Sequence, residues 1–207
     1  MLRATSIAIA ALTAAALGGC GSSSHSSSTA ATGTSSTTAA GSTGAGALSA
    51  EAKSAATGDI KDTQAFVLFH NPQTGYSIKY PEGWTQKGSG SSVSFSDKNN
   101  IVRVIVGTGG PPSTASLATE LTRLKATSPT LTFQPPAPIH VTAGPAIKAT
   151  YTTQSAPNAV TGKSVELIVD RYEFAHGAKR ATVDLGTAQG VDNIDAYRMM
   201  INSFKWQ

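Results

Sequence analysis

Gly75-Tyr76-Ser77-Ile78-Lys79-Tyr80-Pro81-Glu82-Gly83-Trp84 alternates apolar and polar residues and then breaks. Tyr76, Ile78 and Tyr80 fall on one side of an extended strand. Pro81-Glu82-Gly83 ends the strand before Trp84, an aromatic that the pattern places over the edge of a core. On the N-terminal side, Phe66-Val67-Leu68-Phe69-His70 is a second short apolar run, and Asn71-Pro72-Gln73-Thr74-Gly75 between the two has turn chemistry. The pair reads as an antiparallel hairpin, so the folded part begins as a β structure.

Working outward toward the C-terminus, Val93 and Phe95 alternate inward over residues 92–96, and residues 97–100 turn. Residues 101–106 are apolar on both faces apart from Arg103, the signature of a central strand. After a glycine- and proline-rich loop at 107–112, Leu117, Leu121 and Leu124 recur at i, i+4 and i+7, which predicts an amphipathic helix over 113–125 with Ser113 as its N-cap. Ser128-Pro129 stops it. Residues 131–133 form a short strand, and Pro135, Pro136 and Pro138 force an extended loop that can serve only at an edge. Ile147, Ala149 and Tyr151 alternate on another strand, followed by a polar loop at 153–162. A long hairpin then runs from 164 to 174, turns at Ala175-His176-Gly177-Ala178 with a positive φ expected at His176, and returns through Ala181, Val183 and Leu185. Asp192 is expected to cap a last helix with Ile194, Tyr197, Ile201 and Phe204 on one buried face, and Trp206 closes the domain.

Working outward toward the N-terminus, the composition changes. Residues 21 to about 60 are almost entirely Ser, Thr, Ala and Gly, too poor in apolar bulk to offset the entropy of folding. Such a tract predicts a flexible linker, and about 40 residues of it span roughly 35 Å. Before it, Arg3 and the apolar run from Ala4 to Leu17 have the layout of a cleaved leader, because the run is shorter than the roughly 20 residues a bilayer needs. Leu17-Gly18-Gly19-Cys20 closes that run and resembles the lipobox of bacterial lipoproteins. The resemblance implies a signal peptide over 1–19 and lipidation of Cys20, the chain's single cysteine. Two or more acyl chains on it anchor stably, where one is marginal. The expected division is a leader at 1–19, the lipidated Cys20 with its linker at 20–63, and one domain at 64–207, placed on the extracytoplasmic face of the cell membrane. Without a second cysteine there is no disulfide, and about 145 residues suffice for a core.

The formal charge is +4 in 207 residues, with cations scattered among nearly as many anions. Lys179-Arg180 is the longest basic run, so no nucleic-acid face is expected. Gly107-Thr108-Gly109-Gly110-Pro111-Pro112 departs from the dinucleotide fingerprint at Pro112 and lacks the lysine of a phosphate-binding loop; its prolines also remove N–H donors. His25 has no second ligand type near it, and residues 192–195 lack the spacing of a calcium loop. His70, His140 and His176 stand on separate elements, with no nucleophile elbow anywhere. The expectation is no enzyme, no catalytic residue, no metal and no cofactor.

The stretch 75–84, the Val93-Ser94-Phe95-Ser96-Asp97 strand and the Ile201-Asn202-Ser203-Phe204-Lys205-Trp206 ending together resemble the PsbP-like domains, over nearly all of 66–206. These motifs shape a hairpin and seat a helix. The resemblance implies an α+β fold, an antiparallel sheet flanked by helices in an α/β/α sandwich. In layout the chain is most similar to the actinobacterial envelope lipoproteins of the LpqN type. It also implies a monomeric, non-enzymatic binding or accessory module that docks an envelope protein. The alternative is a carrier of an apolar envelope ligand such as a lipid, held between sheet and helices and suggested by Tyr76, Tyr80, Trp84, Phe133 and Trp206. No ligand-binding residue is assigned.

Overall fold

In the computed structural model the described residues are 58–158 and 160–207. The leader, Cys20, His25 and the linker as far as residue 57 lie outside them. The expected hairpin is formed by β1 (Phe66–Asn71) and β2 (Tyr76–Pro81), with Phe66 opposite Pro81 and Asn71 opposite Tyr76. Gly75 makes its turn at φ 74°, a left-handed conformation that costs glycine least. The C-terminal β11 (Lys205–Trp206) adds to β2 and completes a three-stranded sheet.

The larger sheet is antiparallel throughout. Its order is β3 (Thr85–Ser89), β4 (Ser92–Asp97), β5 (Asn100–Thr108), β10 (Lys179–Ala188), β9 (Glu166–His176), β8 (Gly144–Gln154) and β6 (Thr132–Phe133), with β7 (Ala137–Val141) also paired to β8. Helix α1 (Thr114–Thr127) covers one face and α2 (Ile194–Ser203) the other. The fold is therefore α+β, as the resemblance to the PsbP-like domains implies.

Each face has its own core. Alternation sends Val102, Val104, Phe174, Val183 and Leu185 toward α2 and the small sheet, where they meet Tyr76, Ile78, Phe95, Tyr197, Met200 and Phe204. Leu117 and Leu121 of α1 pack on Ala149, Tyr151 and Val169 from the opposite face. Ser113 caps α1 as expected, in a reciprocal box with Ser116. At Gly186 a Cβ would lie 2.9 Å from Ile101 Cγ2, and the Tyr197 hydroxyl donates to the Gly186 carbonyl at 2.5 Å. Glycine is what lets the strands close up there.

Beside α1 the sheet buries charge. Arg171 Nε and Nη2 donate to Asp184 Oδ1 and Oδ2 at 2.7 and 3.0 Å, Arg103 Nη2 donates to Asp184 Oδ2 at 2.5 Å, and Arg171 Nη1 donates to Glu120 Oε1 of α1 at 2.5 Å. Glu173, fully buried, accepts from Arg180 through Oε2, while its Oε1 has no hydrogen-bond partner. Burial pushes the Glu173 carboxyl above the usual glutamate range; Arg180 pulls it back in part, and the neighbouring Glu120 pushes it further. Because the folded-state pKa is raised, this group stabilises the fold most below its unfolded pKa of about 4.3, and that contribution is lost as pH rises through the higher folded value. The stability of the wild type relative to Glu173→Gln should therefore increase as pH falls from 8 toward about 4.5. Urea unfolding across that range measures it; a constant difference between the two proteins would show that Glu173 is ionised like an exposed glutamate.

Several expectations change. Gly58 to residue 63, grouped by composition with the linker, is not all loose chain: the buried Gly58 carbonyl accepts from Asn100 Nδ2 at 2.5 Å and Asn193 Nδ2 at 3.2 Å, and Ile60 N donates to Asn193 Oδ1 at 2.8 Å. The N-cap position of α2 is Asn193, whose amide is committed to this clasp instead of to the helix, while Asp192, one residue earlier, accepts from Ile194 N through Oδ1 at 3.3 Å. Ile194 is 64% exposed and does not join the buried stripe of Tyr197, Met200, Ile201 and Phe204. Positive φ falls on Gly177, at 59°, and not on His176, which ends β9 and stacks on Trp206 at 5.9 Å. The strand around Ala149 extends from Gly144 to Gln154, so the polar loop begins later, at 155.

Candidate functional site

The register of the large sheet brings a mixed surface under α2. Lys148 of β8 lies opposite Tyr172 of β9, and Thr150 opposite Asp170. Asp170 in turn faces Leu185 of β10, and Ile168 faces Thr187. Helix α2 crosses this surface with Tyr197 and Ile201 turned down and Ile194 and Arg198 at the rim, and the end of β7, Ile139 to Val141, makes a side wall. Between them is a cleft of about 530 Å³, within the range of about 300–1,000 Å³ of small-molecule sites.

The cleft has two chemically different ends. At one, Thr187 and Asn193 are spent on the clasp: Thr187 Oγ1 donates to Asn100 Oδ1 at 2.7 Å, and Asn193 Nδ2 lies 3.0 Å from Thr187 Oγ1. At the other, Lys148 Nζ meets Asp170 Oδ2 at 2.8 Å, and Thr150 Oγ1 donates to Asp170 Oδ1 at 2.6 Å. The Lys148 and Asp170 side chains are 31% and 28% exposed, so the pair is neither sealed in the core nor free in water. Lys148 Nζ also stands 5.4 Å from the centre of the Tyr172 ring, within cation–π range. Burial lowers the Lys148 pKa, and the hydrogen bond and charge of Asp170 outweigh it, leaving the ammonium more firmly protonated than an ordinary lysine. Burial raises the phenol of Tyr172 and, further, that of Tyr197. Both are neutral at physiological pH.

The arrangement suits holding a ligand better than transforming one. Its single carboxylate is neutralised by Lys148, and a lysine held so firmly protonated makes a poor base. Among the described residues no three His, Cys, Asp or Glu side chains gather to hold a metal. The described histidines stay apart: His70 bonds Gln207, His176 stacks on Trp206, and His140 is exposed on β7. No described helix is long and apolar enough to cross a membrane.

The aromatics that suggested a ligand between sheet and helices do not line this cleft. Tyr76 stacks on Phe204 with ring centres 5.2 Å apart, Tyr80 on Phe95 at 3.9 Å, and Phe133 packs under α1. The lining instead comes from five elements, β7, β8, β9, β10 and α2 with the residues that lead into it. Its signal was the inward series Ile168, Asp170, Tyr172, a strand face that is neither wholly apolar nor wholly polar.

No family model matches the chain, and no curated protein does. Solved structures do match. The solution structure of cyanobacterial PsbP (CyanoP) from Synechocystis is 13% identical over 72% of this chain and 98% of that one, with a TM-score of 0.49. The Ran-binding protein Mog1p of Saccharomyces cerevisiae is 6% identical over 69% and 95%, with a TM-score of 0.45. A Bacteroides thetaiotaomicron protein is 14% identical over 68% of this chain, with a TM-score of 0.44; this chain spans about half of its length, 48%. These are likenesses of fold.

Proposed function

We propose that this chain is a membrane-anchored lipoprotein whose extracytoplasmic domain is a non-enzymatic binding module, and that it carries a small apolar ligand in the cleft beneath α2. The cleft is the observation that carries the reading. Its apolar walls are made by Ile139, Val141, Ile168, Leu185, Tyr197 and Ile201, and Lys148, Asp170 and Arg198 are the charged groups among them. Apolar walls with few oriented polar groups are what a carrier needs, since burial supplies affinity and the polar groups supply orientation. A protein-docking module, the other reading, would need no such space. Native mass spectrometry of the purified protein tests the choice: a co-purifying small apolar molecule is expected, and it should vanish when Ile168→Trp fills the cleft. An empty spectrum from both proteins, after purification without detergent, would remove the carrier reading.

The anchor is proposed from Leu17-Gly18-Gly19-Cys20 and the linker composition. Cys20→Ala should move the protein from the membrane pellet to the soluble fraction. A variant that is cut normally yet stays in the pellet after a high-salt wash would show that the attachment is something other than this thiol.

A further inference from the structure

We infer that the occupant of the cleft is a single-chain amphiphile with an anionic head, a long-chain carboxylate or alkyl phosphate, whose chain lies beneath α2 and whose head meets Lys148 and Arg198. The inference rests on the cleft being a ligand site and goes on to say which ligand. Volume sets the number of chains. A methylene group fills about the space of a water molecule, about 30 Å³, so a cleft of about 530 Å³ is matched by one long chain.

Charge sets the head. Lys148 and Arg198 are the cations that line the cleft, and Asp170 is its one carboxylate. Asp170 is occupied on both oxygens, by Thr150 and by Lys148, so it has little left with which to hold a cationic head. The Lys148 ammonium carries three donors; one serves Asp170, and the Tyr172 ring lies under the group, which leaves it able to donate to an incoming anion. On the rim, Arg198 pairs with Asp195 of its own helix at 3.1 Å, with side chains 67% and 90% exposed. Such a surface pair is weak, and an anion in the cleft mouth can replace it. The exposed Ile194 beside Arg198 extends the apolar wall to the entrance, where the chain would enter first. Head and chain thus have separate places, and only an amphiphile fills both.

The test uses the chain from residue 20 with Cys20→Ala, so that no acyl group of its own competes. Four probes are compared at neutral pH: a fluorescent long-chain fatty acid, the alcohol of the same chain, the corresponding alkyl phosphate, and inorganic phosphate. The acid and the alkyl phosphate should bind about tenfold more tightly than the alcohol, a ratio in keeping with one charge-assisted hydrogen bond, and inorganic phosphate should displace neither. Lys148→Met and Arg198→Gln should each reduce the acid's advantage without weakening the alcohol, and Lys148→Arg should restore it. Should Lys148→Met fail to fold, the exposed Arg198→Gln still decides. Equal binding of acid and alcohol, or an advantage that survives both changes, overturns the anionic head while leaving the cleft as a carrier site. Displacement by inorganic phosphate overturns the single amphiphilic ligand. Failure of every probe to bind overturns the carrier reading itself.

Discussion

Phe204→Ala is expected to lower stability by about 3–5 kcal/mol, the usual cost of emptying a fully buried aromatic site. Phe204 is 0% exposed, and its ring is packed on three sides: stacked on Tyr76 at 5.2 Å and edge-on to Phe174 at 4.7 Å and Trp206 at 5.2 Å. It sits at the C-cap of α2, just before β11, so one side chain fastens the helix and the small sheet to the large one. With about 2–4 °C per kcal/mol for a domain of this size, the melting temperature should fall by roughly 10 °C. A shift under about 2 °C would mean that the α2 stripe does not seal the sheet. That outcome would favour an exposed docking face instead, with partner binding and not stability lost on substitution.

The second large effect concerns the charges under α1. Arg171 and Asp184 have side chains 4% and 2% exposed and form a two-point contact. Burial lowers the Arg171 pKa and Asp184 more than makes up for it, so the guanidinium is charged at every accessible pH. Asp184→Ala leaves that charge buried without its main partner and should cost about 3–5 kcal/mol. Replacing both, Arg171→Met with Asp184→Leu, removes the two buried charges together; Arg103 and Glu120, which lose their partners, have side chains 39% and 43% exposed and can turn to water, so the double variant should cost clearly less than Asp184→Ala alone. Chemical denaturation of the two variants gives the comparison. If the double variant is as unstable as the single one, the pair is needed for more than its own neutralisation.

The legible part of the fold is the part written in apolar periodicity. The first hairpin, the central strand over 101–106, the Leu117 and Leu121 face of α1 and the seating of Tyr197, Ile201 and Phe204 follow from spacings of 2 and 3.6 residues. β3 was not legible, because Thr85-Gln86-Lys87-Gly88-Ser89 is exposed at every position and a strand held by backbone bonds alone at a sheet edge has no apolar signature. Arg103 was visible as an interruption in an apolar strand, yet nothing in the order of residues says that Asp184 of β10 will stand opposite it. The cleft was hidden for the same reason. Lys148, Asp170, Tyr172 and Arg198 are ordinary one at a time, and their meaning comes from a cross-strand register and a helix crossing that only the folded chain supplies.

The clasp on Gly58 determines how the folded part takes a load. A pull on the chain from its N-terminal side meets Gly58 before it reaches β1. There it is carried by hydrogen bonds from Asn100 at the start of β5 and from Asn193 at the head of α2, with Thr187 of β10 tying the two together. The force is thus spread over the middle of the large sheet and the helix that roofs the cleft, instead of peeling β1 away from its hairpin one bond at a time. A fragment beginning at residue 64 would lack this fastening, and the amides of Asn100 and Asn193 would lose the Gly58 carbonyl they share.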